Sequence, residues 1–198
     1  MFTFPGVIGS VSFPPSPYPA LLYSNTGTQD NLGLFHFLGS NYGTGTWSNP
    51  QTSGSLFIFT NGTPNAGVVD NLVDRDVSTI TQCTAATSAS AFFAFELPVY
   101  FILTGYLLRN RTTGTAYIRN WAIQGSTLTH ANTVSWTTIQ SYTNNFTFTT
   151  LNQYAYFPIS STNKYLTYRI LLTGFNSAGT NIISLSEVEL YGYAYNTL

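Results

Sequence analysis

The sequence predicts an all-β fold, a sandwich or barrel of many short antiparallel strands. Three observations carry this. From about residue 31 onward, strand-length runs rich in aromatic and β-branched residues recur along the chain. Several of them alternate with period two, so that one face is apolar. Gly, Asn, Ser and Pro clusters punctuate the runs, and no window shows capped helical periodicity.

Taken in order, residues 1–30 form a Pro-rich N-terminal arm, and 31–198 are the domain. Pro5, Pro14, Pro15, Pro17 and Pro19 favour extended backbone in the arm. The same arm carries Phe2, Phe4, Val7, Ile8, Phe13, Tyr18, Leu21, Leu22 and Tyr23, more apolar surface than a free tail carries. It is therefore expected to be anchored on its own domain or on a neighbouring subunit. The expected strands are Leu32–Gly39, Ser55–Thr60, Ala91–Leu97, Phe101–Arg109, Arg119–Ser126, Val134–Tyr142, Phe146–Leu151, Tyr154–Ile159, Tyr165–Thr173 and Ser184–Gly192. In the strand holding YLTYRILL, Leu166, Tyr168, Ile170 and Leu172 share one face. Trp121 and Ile123 share a face with Gly125.

Composition narrows the function classes. Hydrophobic residues make up 43% and aromatics 16%, which excludes compositional disorder. Charged residues are only 7%, so the surface is built from Ser, Thr, Asn, Gln and Gly. With six Lys and Arg in all, a nucleic-acid ligand is not expected, because such affinity rests on many phosphate contacts. No run of apolar residues is long enough to span a membrane. The first residues lack a basic start and an unbroken apolar core, so no signal peptide is expected and the chain reads as cytoplasmic. The sequons at Asn61, Asn110 and Asn145 then read as chance matches. The one cysteine, Cys83, reads as a buried free thiol.

No catalytic constellation is legible. His36 lies in an apolar run, His130 in a polar one, and they lack the spacing of a metal pair. Gly43-Thr44-Gly45 is a lone GxG without a following helix. The chain is read as not an enzyme. One acidic concentration exists: Asp70, Asp74 and Asp76 in VVDNLVDRDVSTIT. Oxygen ligands in a loop suit Ca²⁺; Asp side chains that bond their own backbone and pair with Arg75 are the plainer reading. Three of the six cations, Arg109, Arg111 and Arg119, cluster in YLLRNRTTGTAYIRNWAIQGST. Trp47, with Tyr42 nearby, is the loop-borne aromatic candidate for a sugar platform.

The order of motifs resembles the discoidin family, also called the coagulation factor 5/8 type C domain. LVDRDVST stands where family members carry an acidic loop. Trp121 to Ser126, Trp136 to Ile139, Tyr168 to Ile170 and Glu187 to Gly192 match its strand motifs in sequence order. The resemblance covers roughly residues 31–193. It implies a jelly-roll-like antiparallel β-sandwich of the galactose-binding-like kind. It also implies calcium ligands at Asp74, Asp76, Thr79 and Glu187, so the expected cofactor is none or a structural calcium ion. Arg75 replaces the glycine of the usual DGD, and its guanidinium is a candidate substitute for the ion, pairing with Asp74 or Glu187. The segment holding the three arginines becomes two neighbouring strands with TTGT as the turn. Arg109, Arg111 and Arg119 are then expected in structural ion pairs at the sandwich end, with Asp74 and Asp76 as partners.

The branch it resembles occurs in large intracellular eukaryotic proteins and in virus or phage particle proteins. The expected function is thus a non-enzymatic structural or attachment subunit of a large assembly, a virion protein made in the host cytoplasm. Its expected partners are other protein subunits, through the arm, in a homo-oligomer. The alternatives are a lectin-like carbohydrate-binding module taking glycans and an intracellular protein-recruitment module.

Overall fold

The structure, a computed structural model, describes residues 30–85, 91–130 and 135–195. The Pro-rich arm lies outside the described residues, apart from Asp30.

The domain is an antiparallel β-sandwich of the galactose-binding-like kind, as the sequence leads one to expect. In chain order it runs α1 (Leu34–Gly39), β1 (Phe57–Phe59), β2 (Gly62–Ala66), a 3₁₀ turn (Val69–Leu72), β3 (Thr81–Ala85), β4 (Phe92–Asn110), β5 (Trp121–Ser126), β6 (Thr137–Tyr142), β7 (Tyr154–Pro158), β8 (Lys164–Leu172) and β9 (Ile182–Tyr195). All pairings are antiparallel, in the order β2-β3-β9-β4-β8-β5-β6, with β1 and β7 also on β4.

The long strand β4 makes the sandwich. Its first half pairs with β1 and β8, Phe95 lying opposite Ile58 and Tyr168. Its second half pairs with β7 and β9, Leu107 lying opposite Tyr156 and Glu189. The sequence suggests two strands here, because Pro98 interrupts the apolar run. The ladder to β8 breaks between Glu96 and Phe101, where Pro98 stands, while the strand itself continues. One strand thereby belongs to both layers.

Between the layers lies an aromatic core. Trp121, Tyr106, Tyr168, Phe93, Phe95, Phe101 and Phe148 are fully buried. Each such side chain contributes roughly 1.5–3 kcal/mol by leaving water. The polar tips are satisfied: Trp121 Nε1 donates to Tyr106 Oη at 2.9 Å, and Tyr168 Oη donates to the Phe101 carbonyl at 2.5 Å. Burial pushes both phenols upward from their ordinary range, so they remain protonated. The alternation expected in β5 holds, and in β8 it holds from Tyr168 to Leu172; before that Leu166 is half-buried while Tyr165 and Thr167 are buried. Trp121 and Ile123 face the core, and a Cβ on Gly125 would come 2.4 Å from the Tyr165 ring. Cys83 is buried and free, with its sulfur 2.9 Å from Thr60 Oγ1.

Four expectations about local structure are corrected. Leu32–Gly39 contains a short helix, not a strand. Leu34, Phe35 and Leu38 are buried at helical spacing, and the buried Glu189 carboxylate accepts from the backbone N–H groups of Phe35 (2.7 Å) and His36 (3.1 Å). A partner distant in sequence thus satisfies the first turn. Gly33 lets it approach, since a Cβ there would lie 2.1 Å from Glu189 Cγ.

Phe146–Leu151 is loop, because side chains claim its backbone: Asn145 Oδ1 accepts from Thr147 N, and Gln153 Oε1 accepts from Thr149 N. Strands β5 and β4 are not neighbours; β8 lies between them. Residues Tyr106–Arg111 belong to the β7–β9 layer, while Trp121 starts the opposite one, so the TTGT segment crosses the sandwich end. Strands β2 and β3 escape sequence reading because GTPNA and TQCTA lack the aromatic alternation, and β2 is an edge strand with a proline.

Candidate functional site

Three loops gather at one end of the sandwich: β4–β5, β6–β7 and β8–β9. Backbone bonds lace them together, from Asn145 N to the Arg119 carbonyl (2.9 Å), Thr173 N to the Asn120 carbonyl (3.0 Å) and Ser177 N to the Tyr117 carbonyl (2.9 Å). Side chains complete the lacing. Asn120 Oδ1 accepts from Asn144 N at 2.8 Å, and its Nδ2 donates to the Phe175 carbonyl at 2.6 Å. Asn176 spends both ends of its amide on its own loop, accepting from Ala178 N and Thr180 N and donating to Thr180 Oγ1 and the Ile182 carbonyl. Ser177 Oγ accepts from Tyr117 N and donates to the Thr115 carbonyl.

These framework groups hold open a cleft of about 340 Å³. That volume lies within the usual range for small-ligand sites. Four lining residues keep recognition capacity: Arg119, Asn144, Phe146 and Phe175. Phe146 and Phe175 are 70% and 60% exposed, the only aromatic side chains among the described residues that are so open. The Arg119 guanidinium lies over the Phe146 ring, 4.6 Å from its centre. Its one hydrogen bond among the described residues runs from Nη1 to the Asn145 carbonyl, at 2.9 Å. The exposed Asn144 carboxamide makes none among the described residues. The arrangement offers two apolar platforms, a cation and an amide to a small polar ligand.

The expected sugar residues lie elsewhere. Tyr42 meets Phe37 edge-on at 5.6 Å, and its phenol is pushed up by burial. Trp47 packs its indole beside Gly39, where a Cβ would come 2.6 Å from Nε1. Neither lines the cleft. The aromatics that do line it escape a reading based on strand patterns. The usable signal was a large aromatic inside turn composition, as in GFNSAG and TNNFT.

The acidic loop is a second polar centre. Asp74 Oδ1 accepts from Asp76 N at 2.8 Å, and Asp74 Oδ2 accepts from Thr79 Oγ1 at 3.0 Å. Asp76 turns its carboxylate outward to Ser78, whose hydrogen bonds hold it below the usual carboxylate range. Glu187 is fully buried opposite Arg109 across the β4–β9 ladder, and neither of its carboxyl oxygens has a hydrogen-bond partner. Burial, and then the neighbouring Asp74 carboxylate, push Glu187 up to about 10.

Arg109, 1% exposed, donates from Nη1 to the Asp76 carbonyl (3.3 Å) and from Nη2 to the Val77 carbonyl (2.5 Å) and Asn152 Oδ1 (2.8 Å). The orphaned Glu187 carboxyl would suit a cation, but the rest of the set does not fit calcium. The ion needs six to eight oxygens, whereas a guanidinium already holds the loop carbonyls and Asp76 faces away. Among the described residues no three acidic, His or Cys side chains converge as a metal group. Arg75 does not approach Asp74 or Glu187. It adopts a left-handed φ of +63° and donates to Asn31 Oδ1 and the Asp30 carbonyl.

The three arginines therefore meet carbonyls and rings in place of carboxylates. Arg111 Nε donates to the Thr113 carbonyl, and Arg109 also lies 5.2 Å from the Tyr154 ring centre. The ion pair given among the described residues is His130 Nδ1 to Glu96 Oε2, at 2.8 Å.

On the outer face of the β8 layer, Arg169 lies over Trp136 and Phe92, at 4.2 and 5.0 Å from the ring centres, and donates to Gln124 Oε1. This accounts for the aromatic in the sequence motif at Trp136: it covers a cation and is not part of the core.

No protein-family model matches the chain. Among curated proteins it is 31% identical over 181 residues to "E3 ubiquitin-protein ligase Ufd4" of Drosophila melanogaster, covering 87% of this chain and 6% of that one. It is 28% identical over 169 residues to "E3 ubiquitin-protein ligase hecd-1" of Caenorhabditis elegans, covering 82% and 6%. The chain thus spans a small part of the length of the curated relatives it matches. Among solved structures it resembles CBM32-3 from a family 31 glycoside hydrolase of Clostridium perfringens, with a TM-score of 0.56, 16% identity, and 70% and 91% of the two chains covered. It also resembles the family 32 CBM from C. perfringens NanJ in complex with galactose, with a TM-score of 0.53, 14% identity, and 72% and 96% covered. The particle-protein branch expected from the sequence finds no support in these relatives. At such identities the solved structures speak for architecture, and on it they agree with the strand order: the chain has the galactose-binding-like β-sandwich of the carbohydrate-binding modules.

Proposed function

We propose that the domain is a non-catalytic carbohydrate-binding module that takes a glycan in the loop-end cleft. One observation carries the reading: the only widely exposed aromatics among the described residues, Phe146 and Phe175, flank that cleft beside the unspent Arg119 and Asn144. Sugars present C–H faces to aromatic rings and hydroxyls to amides and guanidinium groups, which is the chemistry on offer here. The fold's sugar-binding neighbours support the same reading. Calorimetric titration of the domain with monosaccharides and short oligosaccharides tests it. Binding that weakens about tenfold in Phe146→Ala and in Phe175→Ala at unchanged thermal stability is the expected result; a failure of every sugar to bind would remove the reading.

A second reading, a protein-recruitment module in the cytoplasm, is favoured by a different observation. The sequence likeness to segments of two ubiquitin ligases exceeds the likeness to any sugar-binding structure named above. It predicts capture of one defined protein by the isolated domain, lost in the same two cleft variants. In either reading the acidic loop works without a metal, Arg109 being its resident cation. A particle subunit assembled through the arm has no such support.

A further inference from the structure

We infer that the cleft takes an acidic sugar, with Arg119 receiving its carboxylate or sulfate group; this rests on the carbohydrate-binding reading above. Asp and Glu are confined to Asp30, Asp70, Asp74, Asp76, Glu96, Glu187 and Glu189, so none stands between Glu96 and Glu187. Every residue lining the cleft, from Arg119 to Ser177, belongs to that acid-free span. No carboxylate is therefore available within the cleft to neutralise Arg119, and among the described residues it makes no ion pair.

Its donors point the same way. The guanidinium carries five N–H groups in a planar fork matched to a carboxylate or sulfate. One bond, to the Asn145 carbonyl, is made by Nη1, and the guanidinium lies over the ring of Phe146. The remaining donors, on Nε and Nη2, have no partner among the described residues. The contrast with the chain's other arginines is specific. Arg109 spends three bonds within the fold, Arg75 two, the buried Arg111 gives its Nε to the Thr113 carbonyl, and Arg169 lies over two rings with Nε on Gln124. Arg119 alone lines a cleft with two open aromatics. A neutral hexose would leave its charge uncompensated, whereas an acidic sugar places a planar anion against the fork while its ring meets Phe146 or Phe175.

The test titrates the whole chain with galactose, galacturonic acid and galactose 6-sulfate, and repeats the series with Arg119→Gln. One or both acidic sugars are expected to bind about tenfold more tightly than galactose, with the advantage falling as salt rises. The one that does so identifies the anionic group. In Arg119→Gln the ratio of acidic-sugar to galactose affinity is expected to fall to about one, whatever galactose itself loses, and unchanged thermal unfolding shows that the variant folds. Equal binding of all three sugars overturns the inference and leaves the carbohydrate reading standing. Failure of all three sugars to bind overturns the inference, and failure of the wider sugar series above removes the carbohydrate reading as well.

Discussion

Arg109 and Arg119 lie in one sequence segment, yet one is buried and gives three bonds to the fold while the other is half-buried and gives one. Arg109 sits at the end of β4, within the layer formed with β7 and β9, and gives its donors to two loop carbonyls and Asn152. Arg119 precedes β5 at the mouth of a cleft, gives one bond to its own framework and stacks on an exposed ring. The difference teaches that clustering of cations in sequence does not make a basic patch. Which layer each residue joins decides whether its charge is structural or available.

The largest expected effect breaks the buried member. Arg109→Ala leaves the carbonyls of Asp76 and Val77 and the Asn152 amide oxygen unpaired beside a buried Glu187. It is expected to cost about 3–5 kcal/mol, seen as a fall of roughly 10 °C in thermal unfolding. Arg119→Ala should cost no more than about 1 kcal/mol in the same measurement, since the half-buried side chain gives up one hydrogen bond. Equal losses in the two variants would erase the comparison.

Next comes the open member's platform. Phe175→Ala is expected to weaken sugar binding about tenfold, or ~1.4 kcal/mol by titration calorimetry, without lowering the unfolding temperature.

Smaller is the effect of Glu187. Its carboxyl is pushed from an ordinary 4.5 to about 10, so between those values the native protein holds a proton that the unfolded chain releases. Stability should therefore fall as pH rises through that window, and Glu187→Gln should flatten the decline. At pH 8 the variant is expected to unfold about 2–4 °C higher, the shift that ~1 kcal/mol gives in a domain of this size. An unchanged pH dependence across that window in the variant, with lower stability throughout, would show that Glu187 is ionised and held by Arg109.

The smallest effect is the absence of one. Millimolar calcium or a chelator should leave the unfolding temperature unchanged, because Arg109 already holds the loop carbonyls.

Much of the fold was legible because strand periodicity is local. Trp121, Ile123 and Gly125, and likewise Tyr168, Ile170 and Leu172, announce their core face through alternation alone. Helix α1 was not legible, because its first turn is completed by Glu189, which lies far away along the chain. Nor could alternation reveal that β4 is a single strand shared by both layers, since a proline break looks the same whether the chain turns or continues. At the acidic loop, the family resemblance pointed to Asp74, Asp76, Thr79 and Glu187; the guanidinium among them comes from Arg109, not from the neighbouring Arg75. At the cleft, Arg119 was noticed for the wrong partnership, and Phe146 was assigned to a strand.

The sequence by itself determined an all-β chain, its main strands and the faces they bury, since alternation and composition act on neighbouring residues. Its charge distribution also determined that no acid would stand near Arg119 in the chain. Only the tertiary structure decided which arginine is buried, which aromatics stay in water and which loops meet. Those outcomes depend on how β4 passes between the layers, and so on contacts between residues far apart along the chain.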